Sequence, residues 1–253
     1  MFQAEKAFAE SALQSNSQAA GYNAPPMHPL DNPTWSALTS HQAGFAIVDG
    51  MARRFPPEVC VHGAIASPIL PAWQSLARIA RDPVAIFSLH PPQLPPEWTT
   101  TRQVELREML QDHPSEIKLG QGTELVELTA DDLPQMSALY EATRPGRKLS
   151  PRLYRLGGFL GVKQDGRVVA MGCLRLHLRG FREISTVGTL PEHEGRGYAS
   201  AIVAELARRI RIAGEIPFLT VRSDNQRAAQ IYQSLGFVER TLMYSTTLQS
   251  HST

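Results

Sequence analysis

The stretch from Ile184 to Ala199 constrains the fold of this chain more than any other. Its first part, Ile184-Ser-Thr-Val-Gly-Thr189, has the small and β-branched residues of a strand, which Leu190-Pro191 then breaks. Gly195 and Gly197 flank Arg196 in a tight turn. From about Gly197 to Ala213 the apolar residues Ala199, Ile202, Val203, Leu206 and Ile210 recur at helical spacing, with Gly214 at the end. Glycines at such a turn let backbone N–H groups converge without Cβ obstruction. The first helical turn adds unpaired donors and the positive end of its dipole. This arrangement suits a pyrophosphate, and the same spacing also fits a plain strand-to-helix turn without a ligand.

The rest of the chain divides around this segment. Residues 1–33 are polar, Ala/Gln/Ser-rich and then proline-punctuated, and read as a flexible lead-in, with folded structure starting near Trp35. Residues 34–120 read as an N-terminal α/β domain. Its expected elements are short strands at Phe45–Val48 and Val59–Ile65, a helix after Pro71, an apolar run at Val84–Leu89, and a strand or helix over Val104–Leu110. Pro114, Gly120 and Gly122 mark a boundary within Asp112–Gly122. In 121–253 the pattern sharpens. A strand at Leu125–Leu128 leads to a helix capped at Thr129 and ended by Pro145-Gly146. A hairpin at Phe159–Leu178 turns at Gln164-Asp165-Gly166, and a third strand runs Arg182–Thr189. After the glycine turn and its helix come a strand at Phe218–Val221, a helix at Gln226–Leu235 and a last strand at Val238–Leu248.

Bulk properties narrow the function classes. Twenty-five Lys+Arg against 24 Asp+Glu leave a net charge of +1, so neither nucleic acid nor a membrane surface is expected as the main partner. Cys60 and Cys173 stand far apart without metal-ligand spacing, which argues against a disulfide framework and against a metal site. With no long apolar run and no basic start followed by an apolar core, a cytoplasmic location is expected.

The run Val187-Gly-Thr-Leu-Pro191, Gly195-Arg-Gly-Tyr-Ala199, and then Val221-Arg-Ser-Asp-Asn225 with Ile231-Tyr-Gln-Ser-Leu-Gly-Phe237 resembles the GNAT superfamily of acyl-CoA N-acyltransferases. The resemblance covers roughly the final half of the chain and implies an α/β (α+β) fold: a mixed, mostly antiparallel sheet flanked by helices. It allows the N-terminal half to be a degenerate copy of the same fold or a separate lid. By position it implies that Val187, Gly188 and Thr189 border the pantetheine arm of acetyl-CoA. Gly195, Arg196, Gly197, Tyr198 and Ala199 would hold the pyrophosphate, and Asn225 would lie near the pantetheine. Tyr232 matches the family's tyrosine near the thioester sulfur, placed to protonate a departing thiolate. The family motif usually opens with Gln or Arg where this chain has Glu194, and an acid aimed at a pyrophosphate weakens binding unless it turns away.

The implied activity is acetyl transfer from acetyl-CoA to an amine through a ternary complex. The acceptor is a small-molecule or peptide amine, and the chain a monomer or homodimer. A base must take a proton from the incoming ammonium. Glu183 is the candidate: in an unbroken strand it shares a face with Ser185 and Val187, although an exposed strand glutamate fits equally. His177 and His193 are alternatives. Arg144, Arg147, Lys148, Arg152 and Arg155 make a basic loop, either solvated or set over the acceptor cleft. Cys173 reads as a packed small residue, and Trp35, Trp73 and Trp98 as core. Two other activities stay open on the same fold: a non-catalytic acyl-CoA sensor, and an enzyme using a longer acyl donor.

Overall fold

The computed structural model describes residues 28–114 and 124–251. Most of the expected lead-in, residues 1–27, and part of the expected boundary, residues 115–123, lie outside them. The described residues are already ordered at His28, ahead of Trp35. Leu30 is fully buried there, and Asn32 caps the first helix by accepting a hydrogen bond from the Trp35 amide.

The helices are α1 (Pro33–Leu38), α2 (Leu70–Ile79), α3 (Leu133–Thr143), α4 (Tyr198–Ile212) and α5 (Gln226–Ser234). Three short strands, β1 (Ile47–Asp49), β2 (Ala52–Arg54) and β3 (Gly63–Ile65), form a small antiparallel sheet. The others are β4 (Val84–Ser88), β5 (Trp98–Gln111), β6 (Val126–Leu128), β7 (Phe159–Gln164), β8 (Arg167–Leu178), β9 (Phe181–Thr189), β10 (Ile216–Arg222) and β11 (Phe237–Ser250). These eight make one sheet in the order β4-β11-β5-β10-β9-β8-β7-β6. Every neighbouring pair is antiparallel except β9 and β10.

The segment 34–120 thus supplies the small sheet and two strands of the large one. Glu105 to Met109 holds good helix formers, yet β5 is a strand throughout. Its β-branched Thr99, Thr100, Thr101 and Val104 favour the pleat, and pairing with β11 on one side and β10 on the other overrides local preference. On α2, Ala72, Trp73 and Leu76 are buried in a core shared with Val84, Ile86, Trp98 and Leu248, which ties the small sheet to the β4–β11 edge. On α4, Ile202, Val203, Leu206 and Ile210 face the sheet, as their spacing predicts.

Two features shape the site. First, β9 and β10 pair only from Phe181–Ile216 to Glu183–Phe218. Beyond that β9 continues along β8 and β10 along β5, so the sheet splits open between them. Second, α3 and α4 cover opposite faces at β8 and β9. A Cβ built on Gly188 would lie 3.3 Å from the α3 residue Leu139, whereas one on Gly172 would meet the α4 residue Ile202 at 2.7 Å.

Candidate active site

The strand–turn–helix segment forms as its sequence predicts. Leu190 ends the strand, Pro191–His193 makes a single 3-10 turn, and α4 starts at Tyr198. Gly195 and Gly197 have φ of +77° and +79°, a conformation that suits glycine, and no atom lies within 4 Å of where either Cβ would be. Gly197 is the N-cap and offers no side chain to the helix mouth. The first amides of α4 have no intrahelical acceptor, so they face outward as donors.

A cavity of about 340 Å³ opens at this mouth. Val187, Gly188 and Thr189 line it from β9, Gly195, Arg196, Gly197, Tyr198 and Ala199 from the turn, and Asn225 and Tyr232 from α5 and its cap. Apart from Glu183, every expected site residue is brought to this one cavity. Asn225 also caps α5, its Oδ1 accepting from the Ala228 amide at 3.0 Å. Burial raises the Tyr232 pKa, with the charge of Arg144 opposing it, so the phenol keeps its proton at neutral pH. Its ring meets Phe237 edge-on at 6.2 Å between centroids.

Glu183 lies elsewhere. The unbroken strand that would align it with Ser185 and Val187 is interrupted: Thr186 has φ of +58°, and the β8–β9 register slips between Met171–Gly188 and Cys173–Ser185. The Glu183 side chain is 1% exposed, and its two oxygens accept from Arg175 Nη2 at 2.6 Å and Nε at 2.8 Å. Burial opposes the charge on Arg175, and the Glu183 carboxylate more than offsets it, raising the guanidinium pKa. Arg175 in turn touches the His62 ring nitrogen at 3.1 Å. Burial first, then the charges of Arg175 and Arg147, lower the His62 pKa and keep that ring neutral.

The other candidates separate cleanly. His193 lines the cavity, whereas His177 lies outside it, 2.6 Å from the Glu215 carboxylate and stacked on His41. His41, His177 and Glu215 each place one potential metal-ligand atom within 4.8 Å of the others. Cys173 is fully buried, and burial pushes its thiol up to about 12, as befits a packed residue. Glu194 lines the cavity, but its carboxylate pairs with Arg227 of α5. Nothing in the sequence pattern assigns a role to Arg227. That pattern places Arg144 only in a basic loop, yet Arg144 Nη2 donates to the Val187 carbonyl at 2.8 Å.

Comparisons with known proteins agree with this fold. A family model described as FR47-like protein matches residues 159–245. A crystal structure of a GNAT-family protein from Novosphingobium aromaticivorans superposes with a TM-score of 0.80 at 32% identity, covering 89% of this chain and 100% of that one. A GCN5-related N-acetyltransferase from Kribbella flavida shares the fold with a TM-score of 0.58 at 17% identity, over 86% of this chain and 96% of that one. Among curated relatives, a mycothiol acetyltransferase from Streptomyces avermitilis is 29% identical over 117 residues, 45% of this chain, and the match spans 38% of that protein's length. The N-alpha-acetyltransferase RimI of Mycobacterium tuberculosis is 38% identical over 82 residues, 32% of this chain and 45% of its own. Among the described residues no helix is long and apolar enough to cross a membrane.

Proposed function

This chain belongs to the GNAT family, and on that premise we propose that it transfers an acetyl group from acetyl-CoA to an amine through a ternary complex. The observation that carries the reading is convergence: three separate segments, β9, the Gly195–Ala199 turn and α5, meet in one cavity beside the split in the sheet. The residues fit the co-substrate. Free amides at a helix mouth, with glycines that leave the approach open, match a pyrophosphate. Backbone groups of Val187 and Thr189 at the split edge of β9 match the amides of a pantetheine arm.

Bound there, acetyl-CoA supplies an acetyl group already activated as a thioester. The turn fixes the nucleotide end and β9 orients the arm. The acceptor attacks as the free amine, its ammonium proton already released to solvent. Tyr232 gives its phenolic proton to the leaving thiolate and regains one from the amine nitrogen as the amide forms. Glu183 serves in this scheme as the anion that fixes Arg175, because a carboxylate with both oxygens engaged is a poor proton acceptor. The sensor reading drew its support from Glu194, and the pairing with Arg227 removes that support.

The test is a thiol-release screen of acetyl-CoA against an amine library, with an acceptor-free control and longer acyl-CoAs as competitors. Acceptor-dependent release is expected, with acetyl-CoA preferred. Binding of acetyl-CoA without release for any amine would favour the non-catalytic sensor instead.

A further inference from the structure

We propose that the acceptor site selects an amine bearing its own carboxylate, gripped by Arg102, Arg147 and Arg144 on the α3 face of the opening between β9 and β10. The inference rests on the acyltransfer reading and adds to it the chemical class of the acceptor.

Arg144 marks the place. It bonds the Val187 carbonyl, its guanidinium lies 4.9 Å from the Tyr140 ring centroid, and it stands 3.3 Å from where a Gly188 Cβ would be. Gly188 looks toward α3 at this point, so Arg144 occupies the face opposite α4 and its phosphate turn. Arg102 sits on the part of β5 that runs past the end of β10, and shares a recess of about 270 Å³ with Arg222. Partial burial, then the nearby charges of Arg147 and Arg222, lower the Arg102 pKa. Burial lowers that of Arg144 as well; Tyr140 and Tyr232 offset this in part and Arg147 adds to it.

Two acids, Glu105 and Asp224, line the recess beside Arg102. Asp224 pairs with Arg222, and Glu105 accepts from the Tyr244 hydroxyl at 3.1 Å. Among the described residues no carboxylate pairs with Arg102, Arg144 or Arg147. In a chain with a net charge of +1, three neighbouring guanidinium groups without a paired carboxylate among the described residues are a local concentration of charge. They repel one another, and an entering carboxylate relieves that repulsion while gaining charge-assisted, bidentate hydrogen bonds. Polycationic amines add to the repulsion and are selected against. The cofactor's diphosphate already has its donors on the other face, at the mouth of α4.

The experiment uses the full chain with saturating acetyl-CoA. Thiol release is measured for α-amino acids paired with their primary amides, which lack only the charged carboxylate, with spermidine as a polycationic control. The acids should exceed the amides in kcat/KM by about tenfold or more. Arg102→Gln and Arg147→Gln, both on exposed side chains, should each shrink that ratio mainly through KM and leave acetyl-CoA affinity intact. Equal or better turnover of amides or spermidine overturns the proposal. So do variants that weaken acetyl-CoA binding while keeping the acid-to-amide ratio, because the arginines would then hold the cofactor. If no amine in the set is turned over, titration of N-acetylglycine and N-acetylglycinamide into CoA-saturated protein decides: selective binding of the acid supports the proposal, and equal binding or none overturns it. Failure of the wild-type protein to bind acetyl-CoA is a distinct result, and it overturns the acyltransfer reading itself.

Discussion

Glu183 and Arg175 form a buried bidentate pair, and removing one partner strands the other without water. Glu183→Gln should therefore cost about 3–5 kcal/mol of stability, read by chemical denaturation. Unchanged stability with lost turnover would instead make Glu183 the base. At Tyr232 the expectation reverses: Tyr232→Phe should lower kcat by about tenfold or more with little change in acetyl-CoA affinity, because the hydroxyl acts in the transfer step alone. Turnover equal to wild type would remove Tyr232 from the mechanism. The sequence pointed to Tyr232 through the Ile231-Tyr-Gln-Ser-Leu-Gly-Phe237 block, which fixes its place on a helix. It could not settle Glu183, because a strand pattern does not reveal a bulge: Thr186 carries no glycine or proline to announce one. Nor does it reveal that an arginine eight residues earlier folds back onto the same carboxylate.

At the level of elements, the cavity depends on β9 parting from β10 and on charge balance between the α4 turn and α5. Arg227, in the first turn of α5, pairs with Glu194 and would offset its charge beside the proposed pyrophosphate. Arg227→Gln should weaken acetyl-CoA binding by about three- to tenfold, and adding Glu194→Gln should restore it. A double variant as weak as the single one would mean that Arg227 holds the cofactor directly. The helices and hairpins of the C-terminal half were legible because capping residues and turn glycines bound each one: Thr129 at the 3-10 turn that leads into α3, Gly166 between β7 and β8, Gly214 after α4. The split was not legible, because nothing in Phe218–Val221 records where its parallel pairing with β9 stops. The nature of β5 was hidden for a related reason. Its helix-forming Glu105–Met109 becomes strand only because β10 and β11 pair on either side of it.

Across the whole molecule, the N-terminal segment is bound to the large sheet by a hydrogen-bonded chain of ionisable side chains. Arg240 on β11 pairs with Glu108 on β5 and, at 2.8 Å, with Asp31 just ahead of α1. Burial raises the Glu108 pKa from 4.5 to about 7, with Arg240 opposing. The folded state then holds a proton that the unfolded chain has already released, so stability falls as pH climbs from about 4.5 to about 7 and levels off above. Thermal melts across that window should show the decline, and Glu108→Gln should flatten it; an identical slope in the variant would contradict the assignment. No spacing in the sequence links Asp31 to Arg240, which is why the lead-in read as loose up to Trp35. We propose that the amides of Arg196 to Ala199 hold the diphosphate of acetyl-CoA. Calorimetric titration of acetyl-CoA into wild type and Gly197→Asp tests it most directly, because the variant sets a strained backbone and a negative charge at the helix mouth. Binding by the wild type and none by a folded Gly197→Asp is expected; equal affinity in the two would contradict the claim.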